Sequence, residues 1–321
     1  MTRNQLFAYF FALIVLGSCE TVIDVDLPVE PTRLVVNGFI NPDSAVTVRI
    51  SKSKFVLDRA ESFTLVEDAQ AVLFENGQEI TQLNHVGTGL YTSPYRPQVG
   101  QQYTIQVDAD GLESVEASSE IVKTVEIARL TADSIRRENG SVCSNGDCVP
   151  TFTTAYRFQM TFTDFEERDN FYEVVSYVVV RDSFPVFDDA NPGGPIEYEI
   201  FTERRRAFLI SDDPVVSSSE FDFGDGGFFG SSLLFTDDIF SGRSYTLNFT
   251  TEGAFGGKIT QLTVMLRTLS VDQYEYLRTL QLQEFNEGDP FSEVVPVYNN
   301  IENGFGIFAG YSADSVVVDI D

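Results

Sequence analysis

Residues 69–80 have the sequence AQAVLFENGQEI, and this stretch decides the class of the fold. Its first half, Ala69–Phe74, is rich in β-branched, aromatic and other apolar residues that suit a strand. Asn76-Gly77 follows, and Asn-Gly is the pair favoured in two-residue hairpin turns because both residues must adopt a positive φ. Strand character resumes at Ile80. The stretch therefore predicts two antiparallel strands joined by a tight turn.

The flanking sequence extends this pattern over about residues 21–125. Apolar residues alternate with polar ones in Val46–Ile50 and again in Tyr103–Val107, and turn residues separate such runs. Alternation with a period of two is typical of half-buried strands. About seven short strands in roughly a hundred residues predict an immunoglobulin-like or transthyretin-like β-sandwich, which we assign to residues 31–125. Tyr103 is expected to pack and to bond with backbone.

Residues 126–321 are predicted to form a second β-sandwich-type domain that carries one amphipathic helix. Long β-branched and aromatic runs occupy residues 152–163, 171–181, 245–250 and 259–268. Ser270 and Gln273 form a capping-box pattern, which predicts a helix over about 270–287. An apolar stripe along that helix is expected to face the core; its members are Val271, Tyr274, Leu277, Leu280 and Phe285.

The N-terminus has the pattern of a lipoprotein signal peptide. Leu6–Leu16 is an unbroken apolar run, too short to cross the ~30 Å hydrocarbon core of a bilayer as a helix. It leads into Leu16-Gly17-Ser18-Cys19, which resembles the lipobox of bacterial lipoproteins. We therefore expect residues 1–18 to be removed, Cys19 to carry the lipid, and residues 19–30 to act as a tether. The alternative is ordinary secretion with a cysteine near the cleavage site.

The composition restricts the partners. The chain has 21 basic and 49 acidic residues, and its formal net charge is −28. Such a charge opposes binding to nucleic acid and to anionic headgroups, so the acyl chains alone must supply membrane affinity. A hydrophobic content of 43% with 28 Phe favours packed cores over disorder.

Cys143 and Cys148 flank Asn145-Gly146, a pair typical of tight turns. In an oxidising envelope compartment we expect them to form a disulfide that clamps a hairpin. A metal site is poorly supported, because the only histidine, His85, is distant in sequence. A redox role is also poorly supported, because the spacing is C-x4-C.

Two other features have both a structural and a functional interpretation. The doublets Asp188-Asp189, Asp212-Asp213 and Asp237-Asp238 fit solvated turns, with a calcium site as the alternative. The glycine- and aromatic-rich stretch 221–235 fits core packing, with a partner-binding loop as the alternative. In that alternative Phe228 and Phe229 are the candidate contacts.

No motif predicts catalysis. His85 is the single histidine, and no nucleophile elbow, zinc-binding His-Glu-x-x-His, P-loop or dinucleotide-binding glycine pattern occurs. With 49 acidic residues a pair suited to glycoside cleavage can always be drawn, but no local sequence singles one out. We therefore predict no catalytic residue, no cofactor and no enzyme activity.

Four stretches together resemble the uncharacterised outer-membrane lipoproteins of Bacteroidota grouped as domain-of-unknown-function family 4249. They are residues 18–38, Asp164 with Asn170–Tyr172, Phe235–Gly242 with Tyr245, and Asp289–Phe308. The last is the most specific, although Val294 replaces the proline that is more frequent in the family. The resemblance covers nearly the whole mature chain and implies association with TonB-dependent receptors. It supplies no catalytic residues and no known ligand.

The sequence thus predicts a non-catalytic lipoprotein of the outer membrane, exposed at the cell surface. Its expected role is that of an accessory or ligand-binding partner of a TonB-dependent transporter. Two alternatives stay open: a surface-attached hydrolase that uses an acidic pair, and a structural or adhesive envelope protein.

Overall fold

A computed structural model describes residues 31–55, 58, 62–144, 147–166, 169–186, 197–217, 228–251, 257–286 and 293–320. The predicted signal peptide, Cys19 and the tether lie outside these residues. Within them the chain is mainly β, as the sequence predicts, and its strands build two hydrophobic cores.

The N-terminal core lies inside a β-sandwich. Its strands are β1 (Leu34–Ile40), β2 (Val46–Lys52), β3 (Gln70–Glu75), β4 (Gln78–Gly87), β5 (Leu90–Ser93), β6 (Gln102–Asp108) and β7 (Val115–Glu120). Strand β4 joins the two layers: its first half pairs with β3, and its end, from Asn84, pairs with β5. Alternate side chains of β1, β2, β3 and β6 meet in the core, which explains the period of two.

The predicted hairpin at Asn76-Gly77 is confirmed. Glu75 pairs with Gln78 across the turn, and Asn76 and Gly77 have φ values of 49° and 80°. Tyr103 is fully buried, and its hydroxyl accepts a hydrogen bond from Gln98 N at 2.7 Å and donates one to the Glu75 carboxylate. This tyrosine therefore holds a loop onto the sheet, as the sequence predicts.

The second core lies between two further layers. Its strands are β8 (Ile127–Ser144), β9 (Asp147–Thr163), β10 (Phe171–Val186), β11 (Glu197–Arg206), β12 (Leu209–Ser211), β13 (Phe228–Gly230), β14 (Leu233–Thr236), β15 (Ser244–Thr251), β16 (Lys258–Leu269) and β17 (Phe305–Asp319). One layer has the order β13-β12-β15-β9-β8, and the other contains β11, β10, β16 and part of β17. A short helix, α1 (Pro214–Ser217), packs at the edge of this core.

Strand β17 connects the two sandwiches. Its first residues pair in parallel with β1 from Val35 to Ile40, and its later residues pair antiparallel with β16. Phe308 consequently belongs to the N-terminal core although it lies far from it in sequence. The larger sheet therefore runs without a break from the second sandwich into the first.

Helix α2 (Val271–Asn286) lies close to the predicted bounds. Ser270 caps it, since its hydroxyl accepts a hydrogen bond from Gln273 N at 3.3 Å. The predicted apolar stripe is wrong at its two ends, because Val271 and Phe285 are 46% and 58% exposed. The helix buries Gln273 and Thr279 instead. The helix attaches through both apolar and polar contacts: Tyr274 of the predicted stripe stacks on Phe171, with the ring centres 4.6 Å apart, and Thr279 accepts a hydrogen bond from Tyr298 N at 2.8 Å.

Candidate functional site

The β8–β9 hairpin extends past the second core and is the principal candidate site. On β9, Tyr156, Phe158, Met160 and Phe162 are the alternate residues that face the core. Continuing the same alternation toward the tip gives Thr154, Phe152 and Pro150, which are exposed in the described structure. The core-facing side of the strand thus continues beyond the core without a covering layer from the described chain. We call residues 134–144 and 147–154 the arm.

The arm displays apolar and cationic groups together. Phe152 is 42% exposed, and the guanidinium carbon of Arg136 lies 3.8 Å from the centre of its ring. A groove of about 540 Å³ beside this pair is lined by Ser134, Ile135, Arg136, Pro150, Phe152, Thr153 and Thr154. The Thr153 hydroxyl is buried and has no hydrogen-bond partner among the described residues. The exposed ring and the cation stacked on it are groups that a partner can cover.

The tip of the arm is held by Cys143 and Cys148, which the structure joins in a disulfide. Val142 and Val149 lie directly opposite each other next to it and are 64% and 65% exposed. Two isolated strands are only marginally stable in water, so a covalent clamp at the tip restrains the arm where the core no longer supports it. The disulfide therefore presents an exposed apolar pair in a defined geometry.

Phe228 and Phe229, the sequence-based candidates for partner contact, lie away from the arm. They belong to β13, the edge strand at the opposite end of the same sheet, and their backbones pair with Ser211 and Ile210. Residues 221–227 lie outside the described residues. Phe235, at the end of the same stretch, is 1% exposed and belongs to the core, so core packing is confirmed there.

Two of the acidic doublets are only partly solvated. Asp212 and Asp238 are exposed, as the surface-turn interpretation expects, but Asp213 and Asp237 are only 4% and 2% exposed, so that interpretation is wrong for these two residues. The Asp213 carboxylate accepts hydrogen bonds from Tyr245 Oη at 2.6 Å and from Asn248 N at 3.1 Å. It therefore fastens the β12–α1 connection to β15. Asp188-Asp189 lies outside the described residues.

Asp237 lies beside Asp164 in a buried acidic pair. Asp164 accepts hydrogen bonds from the Tyr172 hydroxyl and from Gly242 N, the latter at 2.8 Å, and Asn170 Nδ2 contacts Asp237 at 3.4 Å. Both carboxyl groups are thus inaccessible and already bonded within the chain. The pair joins the β9–β10 connection to the β14–β15 connection, which is a structural arrangement and not a hydrolytic one.

Burial raises the pKa of Asp237 above its ordinary value of 3.8, and the nearby charge of Asp164 adds to the rise, while hydrogen bonds with Asn170 oppose it. The folded state therefore binds this proton at a higher pH than the unfolded chain. The stability contributed by protonation is fully present below the unfolded pKa of 3.8 and is lost as the pH rises from there through the folded pKa.

Asp237→Asn should remove this pH dependence, because an amide keeps the shape without the charge. We expect the variant to be as stable as the parent protein, or more stable by about 1 kcal/mol, near pH 8, and to lose that advantage near pH 4. Urea unfolding at both pH values measures this, with the exposed neighbour Asp238→Asn as the control. Equal destabilisation at every pH would contradict it.

A second buried charge, Glu173, lies on β10 on the face opposite to that of Tyr172. The Glu173 carboxylate is 2% exposed and contacts Arg267 Nη1 at 2.8 Å and Arg206 Nη2 at 3.2 Å. Burial lowers the pKa of Arg267, but the Glu173 carboxylate together with Tyr311 and Tyr177 outweighs this effect and leaves the pKa of Arg267 above its ordinary value. The Glu173 carboxylate is shared by two arginines, one on β11 and one on β16, so this cluster fixes β10, β11 and β16 together.

The described residues contain no group of three or more His, Cys, Asp or Glu side chains able to hold a metal ion. His85 lies on β4 with its ring 5.1 Å from that of Tyr91, and no acid–base partner for His85 occurs in the described structure. Among the same residues, no helix combines the length and apolar character needed to cross a membrane.

These features define a class of protein with two linked β-sandwiches and a protruding, disulfide-clamped arm. Its buried polar clusters bond to other groups of the same chain. The family model described as "Domain of unknown function (DUF4249)" matches residues 20–316, and the chain belongs to that family. The family membership that the sequence resemblance indicated is thereby confirmed. No curated protein matches the chain. No solved structure matches it either.

The sequence pattern of Cys143 and Cys148 indicates only the tip of the arm. A signal was present in the length of the strands. Strands in globular proteins average about five or six residues, whereas strand-forming sequence continues on both sides of Cys143 and Cys148 for much longer. A hairpin of that length extends beyond the core against which its base packs.

Proposed function

We propose that this protein is a non-catalytic, lipid-anchored surface protein that binds a protein partner through the β8–β9 arm. The observation that carries the proposal is the continuation of the core-facing side of β9 into exposed Phe152, with Arg136 stacked on its ring. Exposed apolar surface rimmed by polar groups is typical of interaction sites, and aromatic and arginine side chains dominate the binding energy of interfaces.

The partner we propose is an outer-membrane TonB-dependent transporter. The lipobox at Leu16–Cys19 supports a membrane location, and the resemblance of the sequence to outer-membrane lipoproteins supports this type of partner. A lipid anchor confines the protein to the surface where such a barrel is found, so a modest interface is sufficient for association. The protein would then contribute to uptake by holding or presenting a ligand beside the transporter.

The arm test compares two matched pairs of exposed apolar residues. Val149 and Phe152 are each replaced by Ser in one variant; Val86 and Phe63, which are 60% and 61% exposed on the N-terminal sandwich, are replaced by Ser in the control. Detergent extraction and co-purification from native envelopes measure the transporter recovered. We expect the arm variant to lose about tenfold or more in recovery and the control to lose little. Equal loss in both variants would contradict an arm-specific contact.

The anchor prediction concerns Cys19. Cys19→Ala should release the protein into the soluble fraction or leave the signal peptide uncleaved, because the acyl chains supply the membrane affinity. Envelope fractionation, followed by mass measurement of the N-terminus, tests this. A mutant that is still processed and still fully membrane-bound would contradict the lipoprotein proposal.

A further inference from the structure

Strand β11 (Glu197–Arg206) forms the outer edge of the larger sheet, and no other strand in the described part of the chain pairs with its outer side. Just past the β10–β11 ladder, Ala207 N donates to Ser176 O at 2.9 Å. Because backbone groups of successive residues in an antiparallel strand point to opposite sides, odd-numbered residues here face β10. Tyr198, Ile200, Thr202 and Arg204 therefore direct their N–H and C=O groups outward.

The charges along β11 are self-complementary. Glu197 and Glu199 occupy its earlier part, and Arg204, Arg205 and Arg206 end it; Glu203 precedes these arginines and contacts Arg205 Nη2 at 2.7 Å within the strand. A strand that is acidic first and basic last matches a second copy of itself when the two run antiparallel. Opposite charges that face each other across antiparallel strands stabilise the pairing, and like charges destabilise it.

These two observations select one register. The outward-facing residues of one copy must lie opposite the outward-facing residues of the other. This condition is met when the two-fold axis passes through a residue, such as Phe201 or Thr202, and not between two residues. Centred on Thr202, it places Glu199 opposite Arg205 and Ile200 opposite Arg204, while Tyr198 lies opposite Arg206, whose guanidinium also contacts Glu173 within the chain at 3.2 Å. Centred on Phe201, it would place Glu199 opposite Glu203.

The exposure of this edge also favours a partner. Tyr198 and Ile200 are 63% and 58% exposed, and β11 spans 10 residues. Natural sheets shorten, bulge or cover their edges because a long open edge templates pairing with another chain. The β10–β11 register runs without a bulge from Val186 to Tyr177, so the edge keeps a regular hydrogen-bonding geometry.

We propose that two copies of this protein pair through β11, antiparallel and centred on Thr202, to form one continuous sheet across a two-fold axis. Such an interface is isologous, since each copy contributes the same strand. It is separate from the arm, which belongs to the other layer of the second sandwich. The inference therefore goes beyond the proposed function and does not depend on it.

The first experiment tests the register with single cysteines in the full-length, detergent-solubilised protein. Thr202→Cys places two thiols opposite each other about 5.5 Å apart at Cα, within reach of a disulfide. Ile200→Cys is the matched control, because its copies lie four positions apart along the strands, about 13 Å, too far to bridge. We expect a disulfide-linked dimer for Thr202→Cys at least tenfold more abundant than for Ile200→Cys on non-reducing gels.

The second experiment exchanges the charges. Glu199→Arg and Arg205→Glu should each weaken self-association by about tenfold in sedimentation velocity, because each variant places like charges opposite each other twice. Mixing the two variants restores opposite charges at both positions and should restore association. Equal cross-linking at positions 200 and 202, no effect of the charges, a protein that stays monomeric at all concentrations, or capture of a different protein by the Thr202→Cys variant would each overturn the proposal.

Discussion

Gly310→Val is expected to unfold the protein or to cost about 3 kcal/mol or more in free energy of unfolding. A Cβ atom at this position would overlap the carbonyl oxygen of Glu120, because β17 passes directly against the end of β7. Overlap with backbone cannot be relieved by a change of rotamer, so the strands themselves would have to separate. Gly306, where φ is 113° and an added Cβ would overlap the Val36 carbonyl oxygen, is under the same restriction.

Gly77→Ala is the control for this substitution. Gly77 has a φ of 80°, but an added Cβ would meet no atom within 4 Å. Only the conformational cost should remain, about 1–2 kcal/mol. Urea or thermal unfolding of both variants measures the difference. If Gly310→Val were no more damaging than Gly77→Ala, the close approach of β17 to β7 would be contradicted.

Glu173→Ala is the second substitution with a large expected effect. It removes the carboxylate that neutralises Arg267, whose side chain is 18% exposed, and leaves a largely buried cation. Removing one member of a buried ion pair costs about 3–5 kcal/mol, mainly through the unpaired charge that is left. Unfolding in urea measures the loss.

The double variant Glu173→Leu with Arg267→Met separates the charge effect from packing. Replacing both members by apolar residues of similar volume removes the buried unpaired cation and leaves only Arg206, which is 41% exposed, without its carboxylate partner, so most of the lost stability should return. A double variant as unstable as Glu173→Ala would show that the packing of these side chains, and not their charges, carries the effect.

Local chemistry is what the sequence revealed best. Asn76-Gly77 and the Ser270 cap each depend on residues adjacent in the chain, and both are present in the structure. The mainly β class follows in the same way from the alternation of apolar residues in strands such as β2. These features could be predicted because the physical cause lies within a few residues of its effect.

What the sequence did not reveal depends on distant segments. Asp237 is indistinguishable in sequence from a surface acid until the β9–β10 connection brings Asp164 beside it. The use of β17 by both sandwiches depends on a parallel pairing with β1, which no turn pattern announces. The exposure of Phe152 likewise reflects where the facing layer ends. Tertiary packing decides all three.

The most direct measurement of the central claim is photo-crosslinking from the arm in native envelopes. A photoreactive phenylalanine analogue in place of Phe152 should form an adduct with an outer-membrane barrel protein, because this ring lies on the uncovered face that we assign to the partner. The same analogue in place of Phe63, also exposed but on the N-terminal sandwich, should form little of that adduct. Absence of an adduct at position 152, or equal adducts at both positions, would contradict a partner-binding role for the arm.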